Sequence, residues 1–232
     1  MKLLCIETAT PAGAVAIVVD GTVLGERVVT NDRQHTETII PATKELLGAA
    51  ELTPGELDGI VIDVGPGLFT GLRVGIATAR SLAFATGTVL YPVSSLEVLA
   101  NDPALASVEQ IVSVVDGRRG EVFVQSFRRG SSIEAIDEPR VMKPGVLRVE
   151  LESRSDGVTL SGDGAERYRS FFDDLKNISL LSVPLPSPSV AGSLVERGVI
   201  GPVANPADLM PIYLRDPDAI ANFTVAWSST PS

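Results

Sequence analysis

Short apolar runs separated by tight turns open the chain. Residues 2–7, 13–20 and 22–30 are rich in Val, Ile and Leu, and Asp20-Gly21 is a dipeptide typical of tight hairpin turns. This pattern predicts three strands in an antiparallel meander.

The spacing of apolar residues then changes to that of a helix. Ile39, Leu46 and Ala50 fall on one helical face, and Pro41 is expected to kink this helix or to lie in its early turns. Residues 53–56 read Thr-Pro-Gly-Glu, a capping box with proline at the first helical position.

A second helix is predicted from Thr70 to about Thr86, after an apolar strand at 59–64 and a turn at 65–67. Its only charges are Arg73 and Arg80, so it is apolar nearly all round and should be buried nearly all round. We expect one face to enter the core through Gly71, Gly75, Thr78 and Leu82. The opposite face, with Leu72, Ile76 and Ala83, then needs a second surface, either another layer of this chain or a partner protein.

A second unit is expected to start near Pro103. Strands are predicted at 110–115 and 121–127, joined by the turn 116–120, with a further strand at 158–161. Helices are predicted at 164–175 and 189–197. Both halves begin with strands joined by tight turns, which indicates a duplicated ancestor.

Charge and cysteine content narrow the function classes. The 232 residues carry a net charge of −10, which argues against a protein that binds nucleic acid on its own. Cys5 is the only cysteine, so internal disulfides and thiolate metal clusters are excluded. The first ten residues do not resemble a signal peptide, and the uncharged stretch 178–195 holds three prolines, so we expect a cytoplasmic protein without a membrane helix.

Two glycine-containing turns are candidate nucleotide contacts. Gly65, Gly67 and Thr70 lie between a strand and a helix, where backbone N–H groups can bind phosphate. The stretch has neither a Walker ending nor a dinucleotide fingerprint, and the structural interpretation, in which the glycines turn the chain and Thr70 caps the helix, is favoured. Gly162 and Gly164 form a weaker candidate for adenosine contact.

Four segments together resemble the TsaB (YeaZ) family. They are Val-Gly-Pro-Gly-Leu-Phe-Thr-Gly-Leu-Arg-Val-Gly at 64–75, Leu-Leu-Cys-Ile-Glu-Thr-Ala-Thr at 3–10, Asp-Gly-Arg-Arg-Gly-Glu-Val-Phe at 116–123 and Pro-Ile-Tyr-Leu-Arg at 211–215. The resemblance implies an α/β fold of the actin, sugar kinase and Hsp70 ATPase (ASKHA) type with two similar subdomains, the second reduced. Glu7 stands where most relatives have Asp.

The resemblance also implies a domain plan and a role. Residues 1–102 would be the first subdomain, 103–221 the second with a C-terminal return segment, and 222–232 a disordered tail. The family's role is that of a non-catalytic dimerisation subunit for the transferase TsaD, with the ATPase TsaE, in making threonylcarbamoyladenosine beside the tRNA anticodon. Contact with tRNA would come only through that complex.

The residues agree with a non-catalytic role. A metal-binding His-x-x-x-His pair needs two histidines on one helical face, but His35 is the only histidine and Ile39 lies at the fourth position after it. The turn at 7–11 has no glycine for phosphate, and Arg118 and Arg119 occupy the corresponding turn of the second unit. We therefore expect no catalytic or metal-binding residue and no cofactor of its own, with ATP or ADP only at the complex interface.

The predicted partner surface combines the two early helices. Its candidate residues are His35, Ile39, Leu72, Arg73, Ile76, Arg80 and Ala83. Two rivals stay open: an autonomous enzyme, either an actin-like ATPase or kinase or a glycoprotease-like peptidase, and a homodimeric scaffold that uses the same helix against itself.

Overall fold

The computed structural model describes residues 1–29, 35–183 and 185–214. Its first sheet has the strand order β3-β2-β1-β4-β5. The strands are β1 (Lys2–Glu7), β2 (Gly13–Val19), β3 (Thr22–Val29), β4 (Gly59–Asp63) and β5 (Val89–Val93). β1, β2 and β3 form the predicted antiparallel meander, whereas β1, β4 and β5 run parallel.

Three helices accompany this sheet. They are α1 (His35–Ala49), α2 (Phe69–Thr86) and α3 (Ser95–Ala100). α1 contains Pro41. The predicted capping box is confirmed at the 3-10 turn Pro54–Glu56, where the Glu56 carboxylate accepts hydrogen bonds from the N–H and the hydroxyl of Thr53. α1 and α2 pack on one face of the sheet, on side chains such as Leu4, Ile17 and Ile60.

The second sheet has the order β11-β10-β6-β7-β8, with β9 also paired to β7. Its strands are β6 (Gln110–Arg118), β7 (Glu121–Arg129), β8 (Ile133–Ala135), β9 (Arg140–Met142), β10 (Val158–Ser161) and β11 (Ile178–Leu181), and its helices are α4 (Pro144–Glu152) and α5 (Asp163–Arg167). α4 and α5 contribute Leu147, Leu151 and Ala165 to the core on one face. α3 contributes Leu96 and Leu99 to the core on the other, and Val98 to the first sheet.

The last helix returns the chain to the first sheet. α6 (Pro188–Glu196) packs Ala191, Leu194 and Val195 on the face opposite to α1 and α2. Residues 203–214 then run along the first unit, where the N–H of Val203 donates to the carbonyl of Leu90. β1 and β4 are therefore covered on both faces, as the apolar run at 59–64 indicated.

Some sequence-based expectations were wrong or incomplete. The predicted helix 164–175 is the short α5 followed by a 3-10 turn at Arg169–Phe171, because the chain bends at Tyr168 to bury Phe172 in the second core. The ranges predicted above leave out β8, β9, α4 and β11. The division at residue 102 stays a prediction, and the tail 222–232 lies outside the described residues. No helix in the described ranges is long and apolar enough to cross a bilayer.

Candidate functional site

Two buried carboxyl groups lie side by side where β1 and β4 end. The parallel register places Ile6 beside Ile62, so Glu7 and Asp63 follow as neighbours, and each is only 2 % exposed. The Glu7 carboxylate accepts hydrogen bonds from the N–H groups of Ala9 (2.6 Å) and Thr10 (3.0 Å) and from the Thr10 hydroxyl (3.0 Å). Glu7 thereby holds the turn between β1 and β2.

Asp63 organises the next loop in the same way. Its Oδ1 accepts hydrogen bonds from the N–H of Gly65 and the hydroxyl of Ser95, both at 2.7 Å. Its buried Oδ2 and the buried Thr8 hydroxyl have no hydrogen-bond partner within the described ranges. Burial raises the pKa of Asp63 to about 7, and burial together with the charge of Asp63 raises the pKa of Glu7 well above its ordinary range.

These carboxyl groups are poorly placed for catalysis. Neither side chain is open to solvent, so a substrate cannot reach them in this conformation. Their hydrogen bonds fix loops at the carboxyl end of the sheet, a structural use of acidic residues.

The glycine-rich turn packs against the same first hairpin. A Cβ at Gly67 would overlap the carbonyl oxygen of Ala9, and the N–H of Leu68 donates to that oxygen at 2.6 Å. The close approach at Gly67 is therefore between two segments of this chain. The N-cap of α2 is Leu68, so the expectation that Thr70 caps the helix was wrong.

The second candidate turn is used in a similar way. A Cβ at Gly162 would overlap the carbonyl oxygen of Val114, and one at Gly164 would lie 2.9 Å from the N of Asp116. The Asp163 carboxylate accepts a hydrogen bond from the N–H of Asp116 at 2.9 Å. Gly162 and Gly164 thus allow α5 to pack on β6, and their contact with a nucleotide stays a prediction.

The arginines of the β6–β7 turn lie close to this packing of α5 on β6. Arg118 and Arg119 adopt left-handed backbone conformations, with φ of 62° and 54°. Asp116 lies within ion-pair distance of Arg118 (3.3 Å) and Arg167 (3.5 Å). The turn is therefore tied to its own chain through Asp116.

A large concave surface lies between α1 and α2. This helix groove has a volume of about 960 Å³ and is lined mostly by apolar atoms. Its walls include Ile40, Leu47, Leu52, Phe69, Val74, Ala77 and Leu82. Ile40 is 56 % exposed, and on the same helix pair Phe84 is 93 % exposed, an unusual state for an aromatic side chain.

The orientation predicted for α2 was wrong. Four residues assigned to the partner surface lie in the core of this chain, with exposures of 5 % or less: Ile39, Leu72, Ile76 and Ala83. Gly75 is buried as expected. A Cβ at this position would overlap the hydroxyl of Thr8, so glycine allows α2 to approach the end of β1 closely. The buried stripe of α2 follows Leu72, Ile76, Ala79 and Ala83, and it leaves Val74, Ala77 and Ser81 facing the groove.

Both arginines of α2 hold the C-terminal segment. Arg80 donates to the carbonyl oxygens of Pro206 (2.9 Å), Ala207 (2.7 Å) and Leu209 (2.5 Å). Arg73 donates to the Tyr213 hydroxyl at 3.1 Å and stacks 3.8 Å above the ring of Phe69.

We call residues 203–214 the C-terminal strap. Phe69 and Tyr213 stack at 5.1 Å, and the N–H of Ile212 donates to the carbonyl of Val64. Sequence reasoning did not identify the pairing of Tyr213 with Phe69, although both fall within the segments that carried the family resemblance. His35 begins α1, but its side chain lies outside the described part of the structure, as does Arg215.

Comparisons with known proteins agree on one family. The family model of TsaD, tRNA N6-adenosine threonylcarbamoyltransferase, matches residues 22–166. The tRNA threonylcarbamoyladenosine biosynthesis protein TsaB of Escherichia coli is 30 % identical over 176 residues, which cover 72 % of this chain and 74 % of that protein.

Solved structures extend the match to nearly the whole chain. A Pseudomonas aeruginosa protein described as similar to the peptidase YeaZ superposes with a TM-score of 0.78 at 26 % identity, covering 92 % of this chain and 99 % of that one. Component A of (R)-2-hydroxyglutaryl-CoA dehydratase from Acidaminococcus fermentans shares the fold alone, with a TM-score of 0.52 at 11 % identity over 85 % of this chain and 98 % of that one. The two mixed sheets have the actin-like architecture that the resemblance implied.

Proposed function

This chain belongs to the TsaB (YeaZ) family and takes part in tRNA threonylcarbamoyladenosine biosynthesis, and from this we propose that it is a non-catalytic subunit of the modification complex. In this proposal it binds a TsaD-type transferase through the helix groove and supports that enzyme together with a TsaE-type ATPase. Any ATP or ADP would lie at the interface of the complex.

The helix groove is the observation that carries the proposal. It offers a concave apolar surface of about 960 Å³ with Ile40 exposed at its edge. Exposed apolar patches of this kind mark sites of protein association. Stable interfaces bury about 1,600 Å² in total, and two paired helices can supply much of one partner's half of that area.

The kinship with TsaD supports the choice of partner. The matched range 22–166 includes α1 and α2 entire, so a TsaD-type chain is expected to present a similar helix pair. Two similar surfaces can associate about a pseudo-twofold axis, because the same patch on each protein then contacts the equivalent patch on the other. The same logic permits a homodimer of the isolated chain.

The described residues give little support to the rival enzymes. The buried Glu7 and Asp63 are closed to substrate, and the glycines of both candidate turns pack against this chain's own backbone. A relative is described as peptidase-like, but the one histidine, His35, is the only candidate base for a serine nucleophile.

Ile40→Glu tests the docking surface. This substitution places a charge at the exposed edge of the helix groove, where an apolar partner surface would bury it. We expect the variant to fold and its Kd for TsaD, measured by titration of purified proteins, to rise by at least about tenfold. Val149→Glu is the matched control, since Val149 is 64 % exposed on α4, far along the chain from the groove.

An in vitro modification assay with TsaD and TsaE, with and without this chain, completes the test. We expect tRNA modification to depend on the chain and to be impaired by Ile40→Glu but not by Val149→Glu. Binding of TsaD at wild-type strength by a folded Ile40→Glu protein would place the interface elsewhere. Steady ATP turnover or peptide hydrolysis by the isolated chain would favour the enzyme rivals.

A further inference from the structure

A second, smaller pocket carries positive charge on a protein with a net charge of −10. It has a volume of about 390 Å³ and lies where the end of the β2–β3 hairpin, the segment after α3, the end of β7 and α6 meet. Its polar lining, which we call the arginine pocket, consists of Asn101, Asp102, Arg129, Ser189, Ser193 and Arg197. None of these residues takes part in the helix groove or the C-terminal strap.

Two guanidinium groups, those of Arg129 and Arg197, line this pocket together with one carboxylate, that of Asp102. Burial, and to a smaller extent the charge of Arg197, lower the pKa of Arg129. Neither has a carboxylate within ion-pair distance among the described residues. Bringing two like charges together costs free energy unless an anion lies between them.

Arg129 is held in place by hydrogen bonds, whereas Arg197 is exposed to solvent. Arg129 donates from Nε to the carbonyl of Val108 (3.2 Å) and from one terminal nitrogen to that of Ala100 (3.4 Å), which fixes its plane. Arg197 follows α6 and is exposed. Ser189, Ser193 and Arg197 recur at intervals of four, so they lie on one helical face beside the pocket. The Ser189 hydroxyl is paired with the Ser187 hydroxyl at 2.8 Å.

Asp102 is the single acidic group in the lining, so two arginines and one carboxylate leave the pocket with one surplus positive charge. Asp102 Oδ1 accepts the N–H of Ala104 at 2.8 Å as the cap of a short 3-10 turn. Its second oxygen can accept a hydrogen bond from a hydroxyl of a ligand. Val18, Val23 and Val190 supply an apolar wall.

We propose that the arginine pocket binds a small phosphorylated molecule, with its phosphate between Arg129 and Arg197. Guanidinium groups match phosphate in charge and in their paired N–H donors. The volume is within the range of small-molecule sites and is suited to a group the size of a mononucleotide. A concave pocket on an acidic protein favours such a ligand over the backbone of a long polyanion.

Titration of the full chain tests the proposal. The probes are inorganic phosphate, pyrophosphate and AMP at constant ionic strength, followed by calorimetry and by NMR of the arginine side chains. We expect at least one probe to bind and to shift the signals of Arg129 and Arg197. Arg197→Ala should weaken that binding by about tenfold or more, because it removes one of the two guanidinium groups that hold the phosphate. The variant should stay folded, because the Arg197 side chain makes no hydrogen bond or ion pair in the described structure.

Arg128→Ala is the matched control. Arg128 is exposed and neighbours Arg129 on β7, where successive side chains point to opposite faces. It should bind the probes like the wild type. The proposal is overturned if no probe binds at up to about 10 mM, or if Arg128→Ala weakens binding as much as Arg197→Ala. TsaD binding by Arg197→Ala, measured alongside, reports separately on the helix groove.

Discussion

At the scale of single residues, the most unusual feature is the pair of buried acids at the end of the first sheet. Glu7 and Asp63 replace water with hydrogen bonds from loop N–H and hydroxyl groups, yet Asp63 Oδ2 has no such bond in the described structure. An ionised oxygen in that state is costly, so the folded protein favours the protonated acid. Proton binding is thereby linked to folding.

The pH dependence of stability follows from the raised pKa of Asp63. The carboxyl ionises near 3.8 in the unfolded chain but at about 7 in the folded protein, so between these values the folded state binds more protons. The free energy of unfolding should fall as pH rises from about 4 to 7, by up to ~4 kcal/mol from this group. Glu7, whose pKa is also raised, adds a slope of the same sign. Denaturant unfolding across this range measures the slope.

Asp63→Asn should reduce this slope, leaving the part due to the buried Glu7, and stabilise the protein at pH 8. The amide oxygen can still accept the hydrogen bonds from Gly65 and Ser95, while the buried charge is gone. Glu51→Gln, at an exposed site, should leave the slope unchanged. A variant with the wild-type slope would show that Asp63 is not the titrating group.

Gly67 is a second residue whose neighbours determine its identity. Gly67→Ala should destabilise the protein by several kcal/mol, on the order of 2–4, because the new Cβ would meet main-chain atoms of Ala9 that cannot move aside cheaply. Gly48→Ala is the control, since no atom lies near its Cβ position in α1, and it should be neutral or stabilise by about 0.5 kcal/mol. Equal thermal midpoints for the two variants would contradict the close packing at Gly67.

At the scale of elements, α2 is fixed by what packs on each of its faces. Gly75 lies against Thr8 on one side of the helix. The side chains in line with Ile76 pack in the core, and Arg80 donates a hydrogen bond to the C-terminal strap. The face toward the helix groove remains open in the described structure, as does Phe84 near the end of the helix. The helix therefore joins the fold and the proposed docking surface.

Arg80→Met should loosen the C-terminal strap without unfolding the sheets. The substitution keeps an apolar stem but removes donors to three carbonyl oxygens, a loss of about 1–3 kcal/mol. Faster hydrogen exchange is expected at the amides of Val203 and Ile212, which bond to the first unit. Arg169→Met, which removes only local exposed ion pairs, should leave those two rates unchanged.

Unchanged exchange at Ile212 in a folded Arg80→Met protein would show that the stacking of Tyr213 on Phe69 holds the strap by itself. Exchange that increases throughout both sheets would instead assign Arg80 to the global stability of the protein.

At the scale of the whole molecule, the net charge of −10 determines how the isolated chain meets nucleic acid. We expect weak tRNA binding, because a polyanion is repelled by the net charge. Arg118 and Arg119 lie at the turn end of the β6–β7 hairpin and Arg128 and Arg129 at its other end, so they do not form one basic patch within a Debye length of about 8 Å at physiological salt. Gel-shift titration at several salt concentrations measures this. Tight, strongly salt-sensitive retention of tRNA by the chain alone would contradict it.

The sequence by itself determined the local elements and the family. Periodicity located the three-stranded meander, α1, α2 and the β6–β7 hairpin, since each has a regular apolar pattern between turn residues. It could not determine which face of α2 is buried, because a helix that is apolar nearly all round has no distinctive stripe. It also could not pair Arg80 with Leu209 or Glu7 with Asp63. Those contacts join residues far apart in the chain, and only the tertiary structure brings them together.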